Sequence, residues 1–328
     1  MTETSAPLIV GLGEAMIRFT ARDHAPLSSA KDFTANVAGA ELNLLITASQ
    51  LGSRARWLTR LPTNQFGEMM RRHARAFDVD VRSVDEADAR AGLFFLELGA
   101  APRPSKVLYD RRDSAASHFS PDDFDWSAQL RDARVAHVTG ITCALGPRSL
   151  ASSIAFFSAA RALGVMTSLD VNYRSQLWSA HDARDALRQV LEVTDTVFVA
   201  PSDLELLTGH SASTEELAQR LTESFAISTV VVRERTDAGK DELGVSVRVL
   251  GDADAHAHAS GYVVDQLGAG DAAAGAFLAS MVRGDDAAVA ARYCAHAYAR
   301  ALTLPGDAFV GTWDDLESGY ATSRRLVR

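Results

Sequence analysis

The chain has 328 residues, 47% of them hydrophobic, which suffices for one large α/β unit with a buried core and requires no second domain. A formal charge of -9 and the lack of any Lys/Arg-rich block argue against a nucleic-acid partner and favour a small molecule. The two cysteines, Cys143 and Cys294, have neither metal-ligand nor redox spacing, and no signal-like leader or membrane-length apolar run is present, so a soluble cytoplasmic protein is expected.

Leu8 to Val10 is an apolar run ending at Gly11 and Gly13, a buried strand that leaves its sheet by a tight turn. Ala15 to Thr20 and Phe33 to Val37 read as further strands. Apolar residues at helical spacing from Ala40 to Leu51, closed by Gly52, predict a helix. A strand over Ala55 to Leu61 and a helix over Gln65 to Phe77 continue the alternation. Between Val81 and Phe119 the pattern changes: Gly92 to Leu96 and Lys106 to Tyr109 read as strands about a turn-rich segment. Segments 15–38 and 81–119 are therefore expected to form a small β lid inserted into a single domain.

Alternation resumes with strand Val135 to Thr139, helix Pro147 to Leu163, strand Met166 to Val171, helix Ala180 to Glu192 and strand Thr196 to Ala200. Thr229 to Val232 and Val245 to Val249 suggest an antiparallel edge. Alanine-rich helices Asp271 to Arg283 and Asp285 to Leu302, then a terminal helix Thr312 to Tyr320, complete the chain. No internal repeat is evident.

Several motifs reduce to bland readings. Gly11-Leu12-Gly13 lacks the third glycine of a dinucleotide fingerprint, which would fall at Met16. Gly239-Lys240 is followed by Asp241 where a phosphate-binding loop needs Ser or Thr. His256 and His258 share a strand face but have no evident third metal ligand. The informative segment is Gly268-Ala269-Gly270-Asp271 at the head of an apolar helix. Glycines let a ligand approach the backbone, the helix N-terminus attracts a phosphoryl group, and a carboxylate there suits a general base. Taken alone, the same aspartate reads equally well as a helix cap.

From Leu8 to Glu317 the chain resembles the ribokinase-like (phosphofructokinase B) carbohydrate kinases. The resemblance rests on Ala38-Gly39-Ala40-Glu41-Leu42-Asn43 and Gly268 to Asp271, in family order. Leu169 to Arg174 with Leu177-Trp178, Tyr109 to Ala115, and Gly306-Asp307 resemble the 2-keto-3-deoxygluconate kinase branch. It implies a Rossmann-like α/β core with a mostly parallel sheet and a β lid. It also implies Mg²⁺-ATP as donor, a monovalent cation as a further candidate cofactor, and a sugar or sugar-acid hydroxyl as acceptor.

By the resemblance, Asp271 is the base and the N–H groups of Gly268, Ala269 and Gly270 form the anion hole. Gly39, Asn43, Phe94, Tyr109, Arg111, Arg174 and Asp307 match substrate contacts, the arginines suiting a keto acid's carboxylate. Asn172, Ser202, Arg233 and Ala295 match the ATP site, with Glu205 at the hydrated Mg²⁺. Homo-oligomers through the lid are common in the family.

Departures are present too. Phe94 stands where the branch tends to have tyrosine, Asp110 replaces an aromatic residue, Ala273 replaces a phenylalanine, and Arg233 to Lys240 departs from the usual nucleotide loop. A kinase of a neutral sugar, or a non-catalytic sugar sensor, is the alternative.

Overall fold

In the computed structural model, which describes residues 6–318 apart from Ala101 and Lys240, β1 (Leu8–Leu12) is buried along its whole length. β2 (Met16–Ala21) and β3 (Phe33–Ala38) form an antiparallel pair and lead into α1 (Ala40–Gln50). β4 (Arg54–Pro62), α2 (Gln65–Ala76) and β5 (Val79–Glu86) follow, then β6 (Gly92–Glu97) and β7 (Lys106–Asp110). The middle of the chain comprises α3 (Trp126–Leu130), β8 (Ala133–Thr139), α4 (Gly140–Cys143), α5 (Pro147–Ala162), β9 (Met166–Asp170), α6 (Ala180–Leu191), β10 (Thr196–Val199), α7 (Pro201–Thr208) and α8 (Thr214–Phe225). Last come β11 (Thr229–Asp237), β12 (Glu242–Gly251), β13 (Ala255–Tyr262), α9 (Ala269–Arg283), α10 (Ala287–Leu302) and α11 (Trp313–Ser318).

The large sheet has nine strands in the order β13-β12-β11-β10-β9-β8-β1-β4-β5, parallel from β11 to β5 and antiparallel at the β12 and β13 edge. Its strands read as continuous apolar runs because both faces are covered. Ile9 faces the cluster built on α1, α9 and α10, while its neighbours Leu8 and Val10 face the cluster built on α5, α6, α7 and α8. Chain order reverses between β1 and β8, which opens a crevice at the strand carboxyl ends. Among the described residues no helix is long and apolar enough to cross a membrane.

β3, β2, β6 and β7 form the separate four-stranded sheet expected from the insertions. One boundary differs: Val79–Glu86 pairs in parallel with β4 and belongs to the large sheet, so the second insertion opens near Gly92 rather than Val81. The half-buried pattern of β5, an edge strand, mimics that of an insertion strand. α8 was not anticipated, although Ser213 and Glu216 make a reciprocal capping box ahead of Leu217 and Leu221. The end of the predicted terminal helix, 319–320, and Lys240 lie outside the described residues.

Candidate active site

α9 begins at Gly268, whose φ of 80° is left-handed and where a Cβ would lie 2.2 Å from the Asp307 carbonyl oxygen, so only glycine fits. Ala272 N donates to Gly268 O at 2.8 Å, which starts the helical ladder and leaves the N–H groups of Ala269, Gly270 and Asp271 at the open end of the helix. At Gly270 a Cβ would meet only the Arg233 guanidinium, at 3.5 Å. Helix N–H groups and dipole at such a turn attract an anion.

Asp271, on the first turn of α9, accepts a hydrogen bond from Asn43 Nδ2 at 2.8 Å. The two helices approach closely enough for this contact because of Gly275: a Cβ there would lie 2.6 Å from Leu44 O and 2.8 Å from Thr47 Cβ. An isolated glycine in an alanine-rich helix has a packing reason, and here it is the crossing of α1 and α9. Burial pushes the Asp271 carboxyl up to about 7, against the lowering effect of the Asn43 hydrogen bond and with a further raising effect from Asp170. Such a carboxyl titrates near neutrality, as a general base should. Asn43 Oδ1 is buried with no partner among the described residues.

Arg233 does not project into open solvent. Nη1 donates to Gly270 O at 2.5 Å and Nη2 to Asp170 Oδ2 at 2.6 Å, with the guanidinium over the Phe198 ring. It therefore ties the Gly268 to Asp271 turn to β9. The expected nucleotide loop after it is a β-hairpin in which β11 and β12 pair from Thr229 to Asp237.

Arg174 is exposed; Nη1 donates to Tyr173 O at 3.1 Å, and its charge partly offsets the burial that raises the Asp271 and Asp203 carboxyls. Among the described residues it has no carboxylate within ion-pair distance, unlike Arg18, Arg111 and Arg233. Arg111 is ion-paired with Glu14, which also accepts from Ser114 Oγ, and Arg111 Nε is buried without a partner among the described residues.

Phe94 and Tyr109 lie on the face of the small sheet turned toward Leu267, with ring centroids 5.7 Å apart. Asp110 points to the opposite face and pairs with Arg90 at 2.6 Å, so its charge is not delivered beside Tyr109. Gly39 is the N-cap of α1, and a Cβ there would lie 2.4 Å from Glu14 O. Asp307 is buried and accepts from Arg18 Nη1 at 2.8 Å; burial pushes its carboxyl up to about 6 despite that arginine.

Asn172, with φ of 41°, follows β9 at the crevice. Ser202 and Glu205 lie exposed on α7, with Glu205 Oε1 accepting from Ser211 Oγ at 3.1 Å. Ala295 is fully buried in α10. Among the described residues no group of three His, Cys, Asp or Glu side chains could hold a metal, and His256 and His258 each face a hydroxyl partner, Ser246 and Thr236. Oxygen donors on α7 that stand alone suit a magnesium ion that keeps most of its water.

Sequence reasoning gave no role to Glu14, Arg18, Glu41, Asp170 or Asp265. Glu41 fills the crevice where strand order reverses: its Oε1 accepts from Thr139 N, Thr139 Oγ1 and Thr142 Oγ1 at 2.7 to 2.9 Å. For Arg18, Glu41 and Asp170 the available signal was a charged residue within an apolar strand or helix, since a charge is buried only where it is paired; Glu14 and Asp265 lie between elements and carried no such signal. Cys143 and Cys294 are buried with thiols pushed up to about 12, and burial pushes His137 down to about 3, so none of them is poised for chemistry. A cleft of about 380 Å³ touches Met166, Thr196 and Thr229 at the opposite, amino-terminal strand ends and takes no part in this site.

Residues 6–309 match the family model for pfkB family carbohydrate kinases. The chain is 33% identical to the 2-dehydro-3-deoxygalactonokinase of Haloferax volcanii, covering 94% of this chain and 95% of that one. It is 30% identical to the 2-dehydro-3-deoxygluconokinase of Thermoproteus tenax, covering 91% and 89%. Among solved structures, the 2-dehydro-3-deoxygluconokinase of Thermotoga maritima superposes with a TM-score of 0.90 at 31% identity, covering 95% of this chain and 98% of that one.

Proposed function

The chain belongs to the pfkB family of carbohydrate kinases, and from that premise we propose that it transfers the γ-phosphoryl group of ATP to the 6-hydroxyl of 2-keto-3-deoxygluconate or its galactonate epimer. The observation that carries the sugar-acid reading is Arg174, the guanidinium beside Asp271 without a carboxylate partner among the described residues. A keto acid supplies the missing carboxylate, and a forked guanidinium binds it through two parallel hydrogen bonds.

In this reading Asp271 takes the proton of the attacking hydroxyl. Asn43 fixes the carboxylate through Nδ2 and offers its unpartnered Oδ1 to a sugar hydroxyl. The N–H groups of Gly268, Ala269 and Gly270 hold the charge that develops on the transferred group. Phe94 and Tyr109 wall the sugar from the small sheet, with Gly39, Arg111 and Asp307 lining the same space. Asn172, Ser202, Arg233 and Ala295 surround the nucleotide, Arg233 through its hold on Gly270. Mg²⁺ would be held through water at Glu205, where it would neutralise phosphate charge.

The buried Arg111–Glu14 pair favours a second reading, a neutral sugar, because it leaves one arginine rather than two for a carboxylate. ADP release screened over 2-keto-3-deoxy acids, their neutral counterparts, ribose and fructose separates the two. Turnover with neutral sugars alone would sink the keto-acid reading.

We also propose a cytoplasmic homodimer formed through the outward face of the small sheet. There Phe19, Phe33 and Phe95 cluster with centroids 5.4 to 6.4 Å apart and Leu108 is 59% exposed. A monomeric mass by light scattering at micromolar concentration would refute it.

A further inference from the structure

Arg18 lies on β2 of the small sheet and is only 1% exposed. The registers of the four strands place Asn36, Arg18, Phe94 and Tyr109 in one cross-strand row, so Arg18 shares the face of Phe94 and Tyr109. Each of its three nitrogens donates one hydrogen bond: Nε to Thr20 Oγ1 at 2.9 Å, Nη1 to Asp307 Oδ2 at 2.8 Å, and Nη2 to Asp265. Both carboxylates belong to the segments that shape the anion-binding turn. Asp265 accepts Leu267 N at 3.1 Å and Gly306 N at 3.2 Å, and the backbone of Asp307 lies directly against Gly268.

We infer that Arg18 is a positioning residue for phosphoryl transfer: its fork on Asp265 and Asp307 couples the seating of the small sheet to the aim of the Gly268 to Asp271 turn. The same guanidinium is ion-paired with both buried carboxylates, so it ties the two segments to one point. Without it two buried carboxylates would be left with no counter-charge, which is strongly unfavourable. The inference rests on the anion-hole reading of the turn.

The test uses the full chain, with kcat, both KM values and melting temperature measured for R18Q, R18K and the charge-balanced double variant R18Q/D307N. A displacement of reacting groups by about 1 Å costs on the order of 100-fold, so R18Q and the double variant should lose about that much kcat. The KM for ATP should change by less than about threefold, since nucleotide contacts lie elsewhere. Guanidinium ion at low millimolar concentration should restore about tenfold of the R18Q loss, and R18K should fall between R18Q and wild type.

A folded R18Q or double variant with wild-type kcat overturns the inference. So does a loss that follows melting temperature and does not respond to guanidinium. D271N run alongside separates the levels: if it keeps turnover, the site reading has failed, whereas an inactive D271N beside an active R18Q refutes the role of Arg18 alone.

Discussion

Asn43 Nδ2 donates to Asp271 Oδ2 at 2.8 Å across 228 positions of sequence. The bond joins the start of α1 to the start of α9 and depends on the close crossing at Gly275. It holds the carboxylate in one orientation and favours its ionised form while burial opposes ionisation.

With Asp271 as the proposed base, its charge balance should set the pH dependence of turnover. With its carboxyl pushed up to about 7, kcat/KM should fall as pH drops below about 7 and level off above it. Asn43→Leu removes the hydrogen bond that lowers this value, so the acid limb should move to higher pH. A pH–rate profile of both proteins checks it; an unmoved limb would show that another group titrates.

Asp271→Asn should reduce kcat by about 10²–10⁴-fold, the range general-base action supplies, and leave sugar binding nearly intact. The sign of its stability effect is also fixed. A carboxyl raised in the folded state binds more protons than in the unfolded chain between about pH 4 and 7, so stability falls as pH rises through that window. The asparagine variant should therefore be more stable than wild type at pH 8, on the order of 1–3 kcal/mol, by denaturant unfolding. A less stable variant would contradict the burial argument.

Arg174→Ala should raise KM for a keto acid by about 10- to 100-fold, the loss of one charged hydrogen-bonding group, while neutral-sugar turnover changes little. Steady-state kinetics on matched acid and neutral substrates decide it. Equal losses on both would argue that Arg174 serves the nucleotide.

Gly275→Ala places a methyl group 2.6 Å from Leu44 O and 2.8 Å from Thr47 Cβ, so α1 and α9 must separate. The expected cost is about 1–3 kcal/mol of stability, together with a fall in kcat as Asn43 leaves Asp271. Thermal unfolding and kinetics of one preparation test both. A stable variant with slowed turnover would isolate the positional effect.

Glu41→Leu removes the one acceptor of Thr139 N, Thr139 Oγ1 and Thr142 Oγ1 in the crevice between β1 and β8. Leaving several buried donors unpaired should cost about 2–5 kcal/mol, whereas Glu41→Gln keeps the acceptor oxygen and should be mild. Equal stability of the two variants would refute this account.

The sequence alone determined most of the strand and helix alternation of the large sheet, though not the place of β5 or the presence of α8, together with the antiparallel edge, the small second sheet and the turn at Gly268 to Asp271. These rest on local periodicity and on glycine at a left-handed position, which are written in neighbouring residues. Between cap and base at Asp271, local pattern could not choose. Tertiary structure decided what acts on that carboxylate: Asn43 hydrogen-bonded to it, and the charges of Asp170, Arg174 and Arg233 felt by it. It also decided that Arg111 belongs to Glu14 and that Asp307 belongs to Arg18. Charge pairing is a property of distance in space, and the residues concerned are separated by 97 and 289 positions in the chain, so no window of sequence could contain either pair.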